Sequence, residues 1–344
     1  MDLWLPAWLG RERQRNVAPT DVLIAICDHF EPFHDVNRET ALRRVQRWRK
    51  AYPQVTSDFP DASGTRPKHT FFYPIEQYDE VVVGEIAALC LETGCEMEIH
   101  LHHENDSAEN LRATLEEGKR RLRSHGQLAT NAKGEVQFGF IHGNWALDNS
   151  HPKGRGCGVR GELQVLREAG CYADFTMPSA PHRCQTRTIN QLYYAIQTGH
   201  RKSHDDGIRA RVGSQTEADL LCVQGPLGLD WQRRKAGIMP CVENGDLTGA
   251  NPPTLDRAKL WRDIGIHVAG RPEWLFVKLH THGGIERNSD MLLGEAMRSF
   301  RAGLRELPLR HHWVTAREMV NILHAAENGH AGNPSEYRDY LLRR

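Results

Sequence analysis

The sequence predicts an α/β fold: one (β/α)7-type distorted barrel of parallel strands, with an insertion around residues 200–255. Three observations carry that expectation. Residues 22–27 (VLIAIC) read as a buried strand and run straight into Asp28-His29-Phe30-Glu31-Pro32. Residues 97–99 lead into His100-Leu101-His102-His103-Glu104-Asn105-Asp106, and 274–279 (WLFVKL) lead into His280-Thr281-His282-Gly283-Gly284. Parallel α/β enzymes bury their strand interiors and carry their chemistry at the carboxyl ends of the strands. One such cluster arises easily by chance. Three with the same layout imply a shared site at one end of a barrel.

The remaining elements alternate as that fold requires. Helical spacing over 38–52 places Leu42, Val45, Trp48 and Tyr52 on one side, and a loop rich in Pro, Asp, Ser and Gly fills 53–67. His69-Thr70-Phe71-Phe72-Tyr73 is β-branched and aromatic, a short strand closed by Pro74. Helical periodicity resumes over 78–92 and stops at Gly94, before a strand over 97–102 and a helix over 107–123. A strand over 136–141 ends in His142-Gly143-Asn144-Trp145, followed by a helix over 160–168 and a strand over 173–177. Between 200 and 255 the pattern blurs into a long loop or insertion with one buried strand at 220–224, and loops of that length tend to be functional. A helix over 254–268, the strand ending at His280 and helices over 290–304 and 315–326 complete the chain. The expected organisation is an N-terminal extension (1–20), one barrel domain (21–327) and a polar, poorly ordered tail (328–344).

Composition narrows the function classes. Lys plus Arg equals Asp plus Glu at 44 each, so charge gives no reason to expect a nucleic-acid partner. No uncharged stretch approaches the length of a transmembrane segment, and residues 1–10 lack the basic flank and apolar run of a secretory signal. Trp4, Leu5, Trp8 and Leu9 are expected to pack on the body of the protein. The eight cysteines include no C-x-x-C pair and read as reduced core thiols of a cytoplasmic protein. Cys157 and Cys184 lack the paired spacing of zinc ligands and read as structural.

The histidine clusters point to a metal. Alternate strand residues share a face, so His100 and His102 stand about 6–7 Å apart on one side while His103 points away. Imidazole and carboxylate together suit a zinc-like divalent ion. The expected ligands are His102, Asp106, His29 and His100, with Glu31 and Glu104 left as solvated or outer residues. Asn144 and Trp145 suit a sugar, the amide for hydroxyls and the indole for a pyranose face, although a core tryptophan beside an Asn turn fits as well.

The chain resembles the polysaccharide deacetylase family, which includes chitooligosaccharide deacetylases. That family has a strand ending in Thr-Phe-Asp-Asp, then Ala-Thr-Phe-Phe, then a helix leading through Gly-His-Glu-Ile-Gly to His-x-x-x-His. The corresponding path here is Ile26-Cys27-Asp28-His29, His69-Thr70-Phe71-Phe72, then Gly94-Cys95-Glu96-Met97-Glu98-Ile99 and His102. Leu166-Arg167-Glu168-Ala169-Gly170 before Tyr172-Ala173-Asp174-Phe175 resembles its later helix–strand step, and Lys278-Leu279-His280 its final Leu-x-His strand. His29 stands where the family has its second aspartate, and Asp106 where it has its second histidine. The resemblance implies a zinc-dependent hydrolase that removes N- or O-linked acetyl groups from an acetylated glycan. It implies Asp28 as base or metal ligand, His280 as general acid, His282 beside it as orienting or substrate-contacting group, and Asp174 as an orienting carboxylate or a buried structural one. Other readings are a metal-dependent phosphoesterase, suggested by His280-Thr281-His282, a glycoside hydrolase, or an inactive glycan-binding relative.

Overall fold

The computed structural model describes residues 3–11, 18–214 and 220–344; the parts of the expected N-terminal extension at 1–2 and 12–17 lie outside the described residues. In chain order the first half contains α1 (Leu5–Gly10), β1 (Asp21–His29), α2 (Arg38–Thr56), β2 (Thr70–Pro74), α3 (Glu80–Thr93), β3 (Glu96–Leu101), α4 (Ala108–Ser124), β4 (Ala129–Thr130), β5 (Val136–His142), α5 (Glu162–Glu168) and β6 (Cys171–Asp174). There follow β7 (Leu192–Ala195), β8 (Gly207–Arg209), β9 (Leu220–Val223), the hairpin β10 (Gly228–Lys235) and β11 (Met239–Glu243), α6 (Leu255–Ile264), β12 (Trp274–Thr281), α7 (Glu286–Leu292), α8 (Glu295–Leu304), β13 (Arg310–Trp313) and α9 (Ala316–Glu327).

The architecture is mixed α/β around one large, mostly parallel sheet. Its order is β12-β1-β2-β3-β5-β6-β9, all neighbours parallel, with β7 and β8 added antiparallel at the end. One edge of β1 carries β12 along its length; the other is shared by β13 at Asp21–Ile24 and β2 at Cys27–His29. Among the described residues the hydrogen-bonded path does not close into a ring. The sheet nevertheless curls. Gly225, just past β9, lies so close to β12 that an added Cβ would stand 2.4 Å from the Lys278 carbonyl oxygen. Lys278 is itself buried and feels the charges of Cys27 on β1 and Asp174 on β6; burial lowers its pKa to about 8.

Local sequence sets the element ends. Asn37, Asp79 and Ser107 cap α2, α3 and α4 with side-chain oxygens that accept orphan backbone N–H groups. The expected helix over 254–268 stops earlier, at Gly265 in the left-handed region (φ 71°). The single helix expected over 290–304 is two, because Gly294 takes an extended conformation between α7 and α8. The polar strand β13 is held to the amino end of β1 by buried Asp21, which accepts from Arg310 and His312 at 2.7–2.8 Å.

The described residues of the 200–255 insertion, 200–214 and 220–255, are structured rather than loose, and β9 matches its expected buried strand. Part of it runs beside β12: His280 N donates to Gly245 O (3.0 Å) and Leu247 N to His280 O (2.8 Å). Buried Arg257 anchors this segment through Glu243 (2.7 and 2.8 Å) and the Asp246 carbonyl (2.7 Å). Residues 328–344, expected to be poorly ordered, are tied down. Thr130 and Arg343 exchange two backbone hydrogen bonds, Arg338 reaches Asp61 and Glu318, and Asn321 holds the Leu341 and Leu342 backbone. Trp4 and Trp8 pack on the body against Ala180, Ile189 and Leu227. Among the described residues no helix is long and apolar enough to cross a membrane.

Candidate metal centre

Parallel pairing puts the carboxyl ends of β1, β2, β3 and β12 at one end of the sheet, and the three expected clusters meet there. His29 is the meeting point. Its ring centroid lies 5.0 Å from His100, 4.7 Å from His282, 6.0 Å from His280 and 4.8 Å from Trp145. Burial and the neighbouring histidines hold its pKa well below the ordinary value, and its Nε2 is buried with no partner. A neutral ring with a free lone pair in that place is chemically available.

Beside it, Glu31, His100 and His102 bring three ligand atoms within 4.8 Å of one another. His100 Nε2 and His102 Nε2 both approach Glu31 Oε1, at 3.1 and 2.9 Å. The far side of each ring is already fixed: His100 Nδ1 faces the Ile141 carbonyl at 3.1 Å, and His102 Nδ1 faces Glu76 Oε1 at 2.7 Å. This is the outer support that orients a metal-binding imidazole with Nε2 inward. Without a metal the carboxylates and rings stabilise each other. Glu31 falls well below the usual carboxylate range despite its burial, because His100 and His102 donate to it. His102 rises to about 9: burial opposes its charge, but Glu31 and Glu76 outweigh that effect. The donor set of one carboxylate and two supported imidazoles fits a zinc-like ion, with room for a fourth ligand. Glu31, read from sequence as a solvated or outer group, is the buried hub.

Asp28 is fully buried and rigidly held. His69 Nε2 lies 2.8 Å from its Oδ2, and Gly283 N donates to its Oδ1 at 2.6 Å. Only glycine fits at 283, because a Cβ there would stand 2.2 Å from Asp28 Oδ2 and 2.8 Å from Trp48. Burial lowers the His282 pKa, and the charges of Glu31 and Asp28 only partly offset it.

His280 is also buried. Burial, then Lys278, His282 and Arg257, keep its pKa far below the ordinary value, so it is a neutral imidazole near pH 7. It therefore does not store the proton that a general acid needs. Asp246, absent from the sequence reading, lies 3.9 Å from His280 Nε2, and burial pushes it up to about 6. His280 Nδ1 is buried and without a partner.

Several expected site residues lie elsewhere. The left-handed turn at Asn105 (φ 53°) swings Asp106 to His103 Nδ1, 3.0 Å away, and not to His102. Asn144 spends its amide on the His103 and Gly156 carbonyls, bracing two loops. Asp174 accepts from Thr176 N and Oγ1 at 3.0 and 2.6 Å, and Thr176 Oγ1 in turn accepts from His142 N. Its role is to fix the turn after β6. Trp145 adopts φ 61°, costly for a bulky residue, and its indole closes over His29 and His280. Compared with known protein families and with curated proteins, the chain matches none.

Proposed function

We propose that the chain is a metal-dependent carbohydrate deacetylase of the polysaccharide deacetylase type, hydrolysing N- or O-linked acetyl groups of a glycan. In this reading the curled parallel sheet is a distorted (β/α)7-type barrel, the metal is zinc, and the unpaired thiols suit a cytoplasmic protein. The observation that carries the proposal is the pairing of a three-ligand group, Glu31, His100 and His102, with the separately held carboxylate of Asp28. Three protein ligands with an open position are the usual arrangement of a hydrolytic zinc site.

When bound, zinc lowers the pKa of a water from 15.7 to about 7 and polarises the acyl oxygen. Asp28 takes the proton that the attacking water loses; its contacts with His69 and Gly283 fix its direction and leave lone pairs free. As the C–N or C–O bond breaks, the leaving nitrogen or oxygen needs one proton. His280 delivers it from Nδ1 while Nε2 accepts one from Asp246, the group whose pKa of about 6 lets it hold a proton near neutrality. Asp28 returns its proton to solvent, His280 regains its starting tautomer as Asp246 takes up a proton from solvent, and acetate leaves with the free amine or hydroxyl. Trp145 and His282 pack against His29 beside the ligand group, where they would border the bound acyl group.

The test is acetate release from N- and O-acetylated oligosaccharides by zinc-loaded protein, with metal content measured in parallel. Release that disappears on chelation and returns with zinc is expected. A zinc-loaded protein that releases no acetate contradicts the proposal, and phosphate release from phosphate esters points to the phosphoesterase reading instead.

A further inference from the structure

His102 and His103 are sequence neighbours that serve different clusters. Beyond His103 a second group, His103, His142, Cys157 and Glu162, also brings its ligand atoms within 4.8 Å of one another. Glu162 Oε1 lies 3.0 Å from His103 Nε2 and 3.7 Å from His142 Nε2, and Glu162 Oε2 lies 3.4 Å from Cys157 Sγ. Bonds of about 2.0–2.3 Å in a zinc tetrahedron separate neighbouring ligand atoms by about 3.3–3.8 Å. The three contacts around Glu162 lie close to that spacing, and all four ligand atoms lie within 4.8 Å of one another. Glu162, Cys157 and His142 are fully buried, and His142 Nε2 points into the group with no hydrogen-bond partner.

The surroundings are built for ligands. Asp106 holds His103 Nδ1 at 3.0 Å, the carboxylate–imidazole support typical of zinc ligands, and Asp106 is itself held by Ser107 N and Asn110 Nδ2. Val159 N donates to Cys157 Sγ (3.4 Å), and Asp148 N to Glu162 Oε2 (2.6 Å). Cys157 sits in Gly156-Cys157-Gly158, pressed against the 105–106 turn: a Cβ at Gly158 would stand 2.6 Å from Asp106 N, which donates to Cys157 O (3.0 Å). Metal binding changes three contacts: the protons by which His103 Nε2 and Cys157 Sγ face Glu162 leave, and one bond at His142 opens. Asn144 N donates to His142 Nδ1 at 3.2 Å, and ligation through Nε2 moves the ring proton to Nδ1, which opens that bond.

We infer that His103, His142, Cys157 and Glu162 form a second, closed divalent-metal site, suited to zinc, that ties the loops around 142–162 to the end of β3. The four ligands leave no position for substrate, as in a structural centre. On binding, the Cys157 thiol and the His103 Nε2–H each lose a proton to solvent, and the Cys157 sulfur becomes the only thiolate among the ligands of either centre.

Cobalt separates the two centres. In full-length protein loaded with Co(II), the closed site should give a thiolate-to-cobalt charge-transfer band in the near ultraviolet, to which the all-N/O group of Glu31, His100 and His102 contributes nothing. Cys157→Ser should abolish the band and lower bound metal by about one ion per chain, while His102→Ala should keep it. If Cys157→Ser does not fold, zinc X-ray absorption on the wild type decides, with a sulfur scatterer at about 2.3 Å expected. A loaded wild type without the band and without sulfur scattering overturns the inference, as does a band that survives Cys157→Ser. Acetate release is a separate readout: the band without acetate release defeats only the deacetylase reading, and acetate release without the band defeats only the closed site.

Discussion

The two histidine clusters on either side of the His102–His103 bond use similar side chains in opposite settings. In the first, the His102 side chain is 31% exposed and an orphaned His29 nitrogen and an isolated Asp28 carboxylate lie alongside. In the second, Cys157, His142 and Glu162 are 0% exposed, and Asp106, Val159 N and Asp148 N brace the ligands His103, Cys157 and Glu162. Strand alternation explains the split, because consecutive residues leave the end of β3 on opposite faces. The difference teaches that donor atoms alone do not mark a reactive centre; access and a separately held base do.

Substitutions can break that comparison. The largest effect on rate should come from Asp28→Asn, which removes the proton acceptor. A loss of about 10²–10⁴-fold in acetate release is expected, with fold and metal content kept. Unchanged turnover would remove Asp28 from the chemistry.

Glu162→Ala should act on stability instead. It removes the partner of His103, Cys157 and the Asp148 amide from a buried site. Breaking a buried ionic group typically costs about 3–5 kcal/mol, measurable by denaturant unfolding. A loss comparable to a surface substitution would show that the second cluster is not a structural anchor.

Asp246→Asn should change the pH profile. If protonated Asp246 supplies the leaving-group proton, wild-type activity falls as pH rises through about 6, the value to which burial raises this carboxyl. The asparagine variant should be slow and lack that limb; an unaltered limb would discard the Asp246–His280 relay.

A smaller effect should appear in metal-free protein. The His102 pKa is raised to about 9, so its ion pairs stabilise the fold fully below its ordinary value of 6.5 and are lost as pH rises through about 9. The melting temperature of stripped protein should drop across that window, and Glu76→Gln should flatten the drop. Equal slopes in the two proteins would show that Glu76 does not carry the shift.

What was legible in the sequence follows from locality. The runs ending at Asp28-His29, His100 to His102 and His280 to His282 announce strand ends by themselves, and parallel pairing then brings them together. Asp106 was placed with His102 because four residues suggest a reach back, but the backbone reversal at Asn105 is not encoded in spacing. Glu31 reads as a solvated or outer carboxylate, since nothing local indicates that His100 in β3 and His102 just beyond it approach its side chain. Cys157 and Asp246 come from loops and Glu162 from the first turn of α5, and the three carry no pairing pattern at all. The Gly156-Cys157-Gly158 triplet and the adjacent glycines after His282 were the available signals, both marking places where backbone must pass close to another group. The curl of the sheet was similarly out of reach, because the insertion places Gly225 and the 245–247 segment near β12 through long-range contacts.

The central claim is that the open cluster performs chemistry through Glu31, His100 and His102. Its most direct test is acetate release by His102→Ala against wild type, both at saturating zinc, with bound metal counted in the same samples. The account predicts a loss of at least about 100-fold, with about one ion per chain missing and the fold retained. Wild-type rates from a variant that has lost that ion would contradict it.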